Sequence, residues 1–213
     1  KKSRFMEQKI DNQLTGSQIV IEALHKENTE VVFGYPGGAI MNVYDEIYKQ
    51  EHFQHILTKH EQAAVHAADA YARSTGKVGV AIVTSGPGFT NAVTGLATAY
   101  TDSIPMVVIS GQVPTQVIGT DAFQEIDAVG ISRSCTKHNF LVNDVKDLTR
   151  VLKIAFHIAR SGRPGPVHID LPKDVSAELT KFNYDQEFEL PTYKPTTKGN
   201  IRAPPCEVVL TSV

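Results

Sequence analysis

Cysteine is scarce here: Cys135 and Cys206 are the two in 213 residues, far apart and in neither a CxxC nor a zinc-ligand spacing. No disulfide framework is implied, and a reducing compartment is expected. Also missing is any apolar run approaching the ~20 residues that span a bilayer. With 41% hydrophobic and 21% charged residues, the chain reads as soluble and globular, and it is long enough for one substantial core. The formal net charge of −2 leaves no basic excess. That argues against nucleic acid or an anionic membrane as the main partner.

Familiar ligand motifs are missing too. No GxGxxG follows a strand, and "STGKVG" has the Gly-Lys of a P-loop without the rest, so neither a Rossmann dinucleotide site nor a P-loop is expected. "HEQAA" fails as a zinc-protease motif because position 64 is alanine, and His66 lies on the wrong side of a helical turn to share a metal with His60. No metal ligands are assigned in this chain. The opening "KKSRFMEQK" lacks the apolar core of a secretion signal. Residues 1–14 are read as a disordered or tag-like start.

Amphipathic helical patterns alternate with short β-branched runs, the mark of a parallel-sheet, three-layer α/β domain with helices on both faces. Strands are expected at Val31–Phe33, His55–Leu57, Val78–Val83, Met106–Ile109 and Val167–Ile169. Helices are expected at Gly16–Lys26, Ile40–Lys49, Glu61–Ser74, Asn91–Tyr100 and Asp147–Ser161. From Pro191 the texture turns rich in Pro, Thr and Lys. One domain over 15–190, followed by a linker or aberrant tail over 191–213, is the expected organisation.

In open parallel sheets, ligands bind beyond the carboxyl ends of the strands. Those ends carry "GYPGGA" (Gly34–Ala39), His60-Glu61-Gln62, "TSGPGFTN" (Thr84–Asn91) and "SGQVP" (Ser110–Pro114). Any one glycine loop is explained by the needs of a βα turn; four loaded strand ends on one edge, three of them with glycine, point to a ligand. Glu61 has two readings. Thr58-x-x-Glu61 fits a capping box, with the acid receiving a backbone amide at a helix start. Alternatively, a carboxylate at the end of a buried strand, beside water-excluding alanines, has its charged form disfavoured and can share a proton with a ring nitrogen. The local motif does not choose between them.

"VFGYPGGA", "KHEQAAVHAADAYAR", "VTSGPGFTNAVTGLATAY", "SIPMVVISGQVP", "GTDAFQEID" and "ARSGRPGPVHIDLPKDV" occur in that order from about Gly16 to Val175. Together they closely resemble the amino-terminal, pyrimidine-binding domain of acetolactate synthase (acetohydroxyacid synthase) catalytic subunits, which use thiamine diphosphate. The resemblance implies that Glu61 hydrogen-bonds the cofactor's pyrimidine ring and shares the proton that activates it, which is acid–base catalysis at a tuned carboxyl. It implies decarboxylation of pyruvate and carboligation to a second 2-oxo acid, pyruvate or 2-oxobutyrate, at the start of branched-chain amino acid biosynthesis.

By the same resemblance, Gly38, Ala39, Pro87 and Asn91 line the cofactor site, and Gln124 stands at the active centre with Phe123. Val113, Pro114, Ala122 and Lys173 line the substrate channel, and Arg163 contacts FAD. The bland alternatives are that Phe123 is core, Lys173 a solvated helix-start cation, and Arg163 paired with an acid such as Asp170.

The resemblance further implies a homodimer with its active site between subunits, a regulatory small subunit as a possible partner, and a cytoplasmic bacterial location, with an organelle as the alternative. The family has three domains. Its magnesium diphosphate is anchored by a later Gly-Asp-Gly segment, and no "GDG" occurs here. The expectation is therefore a fragment inactive alone, with Mg2+ and most FAD contacts supplied elsewhere. Another thiamine diphosphate-dependent 2-oxo acid decarboxylase, carboligase or oxidase, or a non-catalytic remnant, is the alternative reading. Ala70 and Ser134, where the family commonly has glycine and proline, are small departures.

Overall fold

Apolar runs such as "VAIV" and "MVVI" carry no polar face, so strands built from them need cover on both sides. They receive it in the computed structural model of the chain, which describes residues 13–195. Six parallel strands make one sheet in the order β3-β2-β4-β5-β7-β6. They are β2 (Val31–Gly34), β3 (Gln54–Leu57), β4 (Gly79–Val83), β5 (Met106–Gln112), β6 (His138–Leu141) and β7 (Pro166–Pro172). Strands β4, β5 and β7, in the middle, are buried at every residue.

One face of the sheet carries α1 (Gly16–Lys26), α2 (Met41–Lys49) and α6 (Val145–Arg160). Their apolar sides meet Ile82, Ile109 and Ile169 in the larger core, which includes Ile19, Leu24, Ile40 and Leu152. The other face carries α3 (Glu61–Thr75), α4 (Pro87–Asp102) and the short α5 (Ala128–Ser132) over Ala81, Val83, Met106 and Val108. The alanines of α3 let it lie close to its neighbours. A Cβ added to Gly79 would meet the Ala68 carbonyl at 2.2 Å, and one on Gly95 of α4 would meet Val65 at 2.5 Å.

Several boundaries differ from the sequence reading. Helix α4 begins at Pro87, four residues before the expected Asn91, because proline suits the first helical position and Gly86, at φ 53°, makes the turn into it. Strand β5 runs on past the expected Ile109 through Ser110 and Gln112, and β7 past the expected Ile169 through Asp170. These buried polar side chains bond one another, so they do not end the strands. Strand β6 is a partly exposed edge without an apolar run, and α5 and α7 (Lys173–Ala177) have five residues each, too short for a periodic signal.

Of the stretch 1–14 expected to be disordered, Gln13 and Leu14 instead form β1 (Gln13–Thr15), antiparallel to β8 (Leu179–Lys181). The rest of that stretch lies outside the described residues. Of the expected tail, 191–195 packs back on the domain: the Lys137 ammonium donates to the Tyr193 hydroxyl at 3.1 Å. Residues 196–213 lie outside the described residues.

Candidate active site

The carboxyl ends of β2, β3, β4, β5 and β7 bring the glycine loops to one edge of the sheet, and Glu61 stands among them. It is the first residue of α3 and 7% exposed. The capping box weighed as one reading of Thr58-x-x-Glu61 does not form. His60 is the N-cap, its Nδ1 accepting the Gln62 amide at 3.2 Å, while the Thr58 hydroxyl donates to the carbonyls of Gly34 and His60. The Thr58 amide that a capping box would give to the acid goes instead to the Gly34 carbonyl at 3.0 Å, and the Glu61 carboxylate turns toward α4. There its Oε2 accepts from Asn91 Nδ2 at 2.9 Å.

Asn91 is one turn into α4, where the Gly86–Pro87 start of that helix presents it to α3. Gly88 keeps the space between them: an added Cβ would lie 2.6 Å from Thr84 Cγ2 and 3.2 Å from Glu61 Oε1. Oε1 accepts no hydrogen bond from the described residues. Thr84 Oγ1, in the same loop as Gly88, is buried with no hydrogen-bond partner among the described residues. The "GYPGGA" loop closes this side: a Cβ on Gly37 would strike the Thr84 side chain at 2.5 Å, whereas one on Gly38 would meet nothing within 4 Å. Tyr44, behind the loop, donates its hydroxyl to the Ile82 carbonyl at 2.9 Å. Burial first, and then the negative charge of Glu61, push its phenol well above the ordinary range.

The excursion from Val113 to Lys137 arches over the same edge. Its tip is organised by Glu125, whose carboxylate accepts the amides of Gly119 and, at 2.9 Å, Ala122. Those amides hold the Glu125 carboxyl below the usual range. Gln124 takes a left-handed conformation at φ 60°, and its carbonyl lies where a Cβ on Gly86 would be, 2.5 Å away. Gln124 is thereby seated on the first turn of α4. Phe123 is 88% exposed, so the core reading of that residue is wrong.

Val113 and Pro114 follow β5, and Lys173 follows β7, at ends placed side by side by the Gln112–Pro172 register. Ala39 touches the same place, since a Cβ on Gly111 would meet its carbonyl carbon at 3.0 Å. Lys173 is exposed at the start of α7, with no ion pair from its ammonium among the described residues.

Arg163 stands apart. Its Nε donates to Ser103 Oγ at 2.6 Å, and a second guanidinium nitrogen to the Thr101 carbonyl at 3.3 Å, at the far end of α4. The suggested pairing with Asp170 does not occur; that acid is taken by Ser110 and Gln112. At ~1.5 Å per residue, helix α4 alone separates Arg163 from the Asn91 end by roughly 20 Å.

Glu61, Asn91, Gly38, Ala39, Pro87 and Gln124 thus gather on one edge with Val113, Pro114 and Lys173. Sequence reasoning missed Thr84 and Gly88 as members, although both lie in the "TSGPGFTN" loop it singled out. It also missed Glu125, whose signal was its place two residues after Phe123 in a glycine-led loop.

A free carboxylate oxygen and a buried hydroxyl without a partner among the described residues, beside an open glycine face, can take hydrogen bonds from a ligand that enters this edge. The family model described as the thiamine pyrophosphate enzyme N-terminal TPP binding domain matches residues 14–131, a span that holds Glu61, Asn91 and Gln124. The chain belongs to this thiamine pyrophosphate-binding family. It is 55% identical over 189 residues to the acetolactate synthase large subunit of Haemophilus influenzae, covering 88% of this chain and 33% of that one. Over 189 residues it is 54% identical to the acetolactate synthase isozyme 3 large subunit of Escherichia coli K12, with the same coverage. A probable acetolactate synthase large subunit of Methanocaldococcus jannaschii is 51% identical over 190 residues, with 88% and 32% covered.

The chain therefore spans about a third of the length of the curated relatives it matches. Among the described residues, no helix is long and apolar enough to cross a membrane, and no group of three or more His, Cys, Asp or Glu residues is arranged to hold a metal ion.

Proposed function

We propose that this chain is the pyrimidine-binding part of an acetolactate synthase catalytic subunit, which decarboxylates pyruvate and joins the two-carbon unit to a second pyruvate or to 2-oxobutyrate. The observation that carries this reading is the buried Glu61 carboxylate, with one oxygen held by Asn91 and the other free beside Gly88 and Thr84. Thiamine diphosphate, when bound, supplies the carbanion stabilisation that lets carbon dioxide leave a 2-oxo acid.

The chain's own residues do the rest. Glu61 Oε1 holds or releases a proton at the pyrimidine ring nitrogen, and Asn91 fixes the carboxylate so that only Oε1 is offered. Gly38, Ala39 and Pro87 leave room for the ring. Gln124, seated on Gly86, faces the reacting centre with Phe123. Val113, Pro114, Ala122 and Lys173 line the way in.

Arg163 is assigned to FAD, and its distance from Glu61 fits a flavin that takes no part in the proton transfer. The magnesium diphosphate is assigned to parts of the full-length enzyme beyond this span. We also assign a homodimer with the site between subunits, a regulatory small subunit and a cytoplasmic location.

The test is a graft of residues 16–181 into a complete acetolactate synthase, with Glu61→Gln beside it. Acetolactate made by the graft and lost with the substitution supports the reading. A folded graft without product, or an unaffected substitution, overturns it. Product analysis with pyruvate plus 2-oxobutyrate separates this activity from that of other thiamine diphosphate-dependent decarboxylases and oxidases.

A further inference from the structure

Between β5, β7, β6 and α5 lies a chain of buried polar side chains that the site does not use directly. Asn139 Nδ2 donates to Ser132 Oγ at 2.8 Å, Ser132 Oγ meets His168 Nδ1 at 3.0 Å, and His168 Nε2 meets Ser110 Oγ at 2.8 Å. Ser110 Oγ donates to Asp170 Oδ1 at 2.7 Å, and Gln112 Nε2 to Asp170 Oδ2 at 2.9 Å. Ser110, Ser132, His168 and Asp170 are all nearly inaccessible to solvent.

The donors can be assigned. Gln112 Oε1 accepts the Val113 amide and its Nε2 donates to the Ile126 carbonyl, so this side chain cannot turn over and offers Asp170 only a donor. With Asp170 charged, the single Ser110 proton points to it, His168 carries its proton on Nε2, and Nδ1 accepts from Ser132. A proton gained by Asp170 has room only on Oδ1. It then donates to Ser110 Oγ, Ser110 donates to His168 Nε2, and the imidazole proton moves to Nδ1 and donates to Ser132. Ser132 turns to the Val129 carbonyl at 3.3 Å. One proton bound reverses every donor in the line.

The line also joins the two pieces that build the site. The His168 ring stacks on Phe89, in the first turns of α4, with centroids 4.4 Å apart. Gln112 holds Ile126, and Asn139 donates to the Val129 carbonyl at 2.7 Å, so the excursion carrying Gln124 is fastened at its return.

We propose that Ser132, His168, Ser110 and Asp170 form a proton-polarised relay, its direction set by the charge on Asp170, that positions the start of α4 and the Gln124 excursion relative to each other. These are positioning residues, and their bearing on catalysis rests on the function proposed above. Burial raises Asp170 to about 7, with Asp127 of the α5 cap adding repulsion against the hydrogen bonds from Ser110 and Gln112, and burial keeps His168 neutral. The other charged or titratable groups nearby are turned away or taken. Asp102 of α4 pairs with Arg73, Arg133 of α5 is exposed and Asp174 of α7 is held by Thr115. His138 and the ionisable groups of α6 lie toward the opposite face of the sheet.

The test uses the 213-residue chain itself, without cofactor, so it stands or falls separately from the catalytic reading. Long-range nitrogen–proton NMR of the imidazole reads the tautomer: Nε2–H above neutral pH is expected, moving to Nδ1–H as the pH falls. Asp170→Asn, which presents a permanent donor to Ser110, is expected to lock Nδ1–H at every pH. Ser110→Ala is expected to raise amide exchange at residues 124–131 roughly tenfold or more. One tautomer throughout, shared by parent and Asp170→Asn, or exchange at 124–131 unchanged by Ser110→Ala, overturns the proposal. Should Asp170→Asn not fold, the pH titration of the parent decides the direction of the relay by itself.

Discussion

Asn91 Nδ2 donates to Glu61 Oε2 across 2.9 Å, tying the first turn of α4 to the first residue of α3. The two residues are 30 apart in sequence. The helices that carry them follow strands β3 and β4, which flank β2 in the sheet. The bond leaves a single carboxylate oxygen unassigned at the centre of the glycine loops, which gives a definite expectation for the amide that replaces it.

Glu61→Gln keeps the shape and can still accept from Asn91. The isolated domain is expected to stay within about 1 kcal/mol of the parent in denaturant unfolding. In a complete enzyme carrying the domain, kcat is expected to fall roughly 10²–10⁴-fold with little change in KM, the signature of a lost proton-transfer group. Steady-state acetolactate assays check this; a large rise in KM with kcat preserved would instead make Glu61 a binding residue.

The glycines of the site divide into those that hold the fold and those that hold a space. Gly86→Ala combines a φ of 53° with a Cβ 2.5 Å from the Gln124 carbonyl, and is expected to cost about 1–3 kcal/mol. Gly38→Ala meets nothing within 4 Å and is expected to unfold like the parent, to within ~0.5 kcal/mol. Its effect should appear as weaker cofactor binding. Paired denaturation and cofactor titrations distinguish the two.

The buried Asp170 and His168 predict opposed effects of pH on stability. Asp170, raised from 3.8 to about 7, contributes stability that is fully present below pH 3.8 and is lost as pH rises through about 7. His168, depressed from 6.5 to about 3, contributes stability that is present above pH 6.5 and lost as pH falls toward 3. The two slopes oppose each other between 3.8 and 6.5. Asp170→Asn removes the first, so its melting temperature is expected to fall more steeply than the parent's on acidification through that window. Thermal melts at several pH values check it, and parallel curves would count against the assignment.

Apolar side chains stand exposed along the site edge: Tyr48 at 90%, Leu57 at 63% and Phe123 at 88%. In a homodimeric enzyme with its site between subunits such a surface is covered. The chain is expected to self-associate in sedimentation velocity, with average mass rising with concentration, and a Tyr48→Lys, Leu57→Lys variant should do so less. A parent monomeric across the range would argue that this edge is not an interface.

Much of the central sheet was legible because "VAIV", "MVVI" and the alternating helical patterns carry their own periodicity. The loops holding the ligand edge were legible because glycine clusters fall after those strands. Strand β6 and helices α5 and α7 were not, because they are too short or too exposed to show a period. The polar ends of β5 and β7 were hidden for another reason. Ser110, Gln112 and Asp170 look like strand breakers until each is seen to be satisfied by a partner.

By its residues alone, the sequence determined the layered α/β architecture, the edge at which a ligand must sit and the family whose motifs run in order along it. The local motif left Glu61 divided, because Thr58-x-x-Glu61 fits a helix cap while a place at a buried strand end beside alanines fits an acid–base group, and the family resemblance favoured the acid. Only the tertiary structure decided that His60 takes the cap and that Asn91, from another helix, takes the acid. Local pattern reports what one turn of chain can bond. Which of those bonds forms depends on partners that the parallel crossovers bring from dozens of residues away.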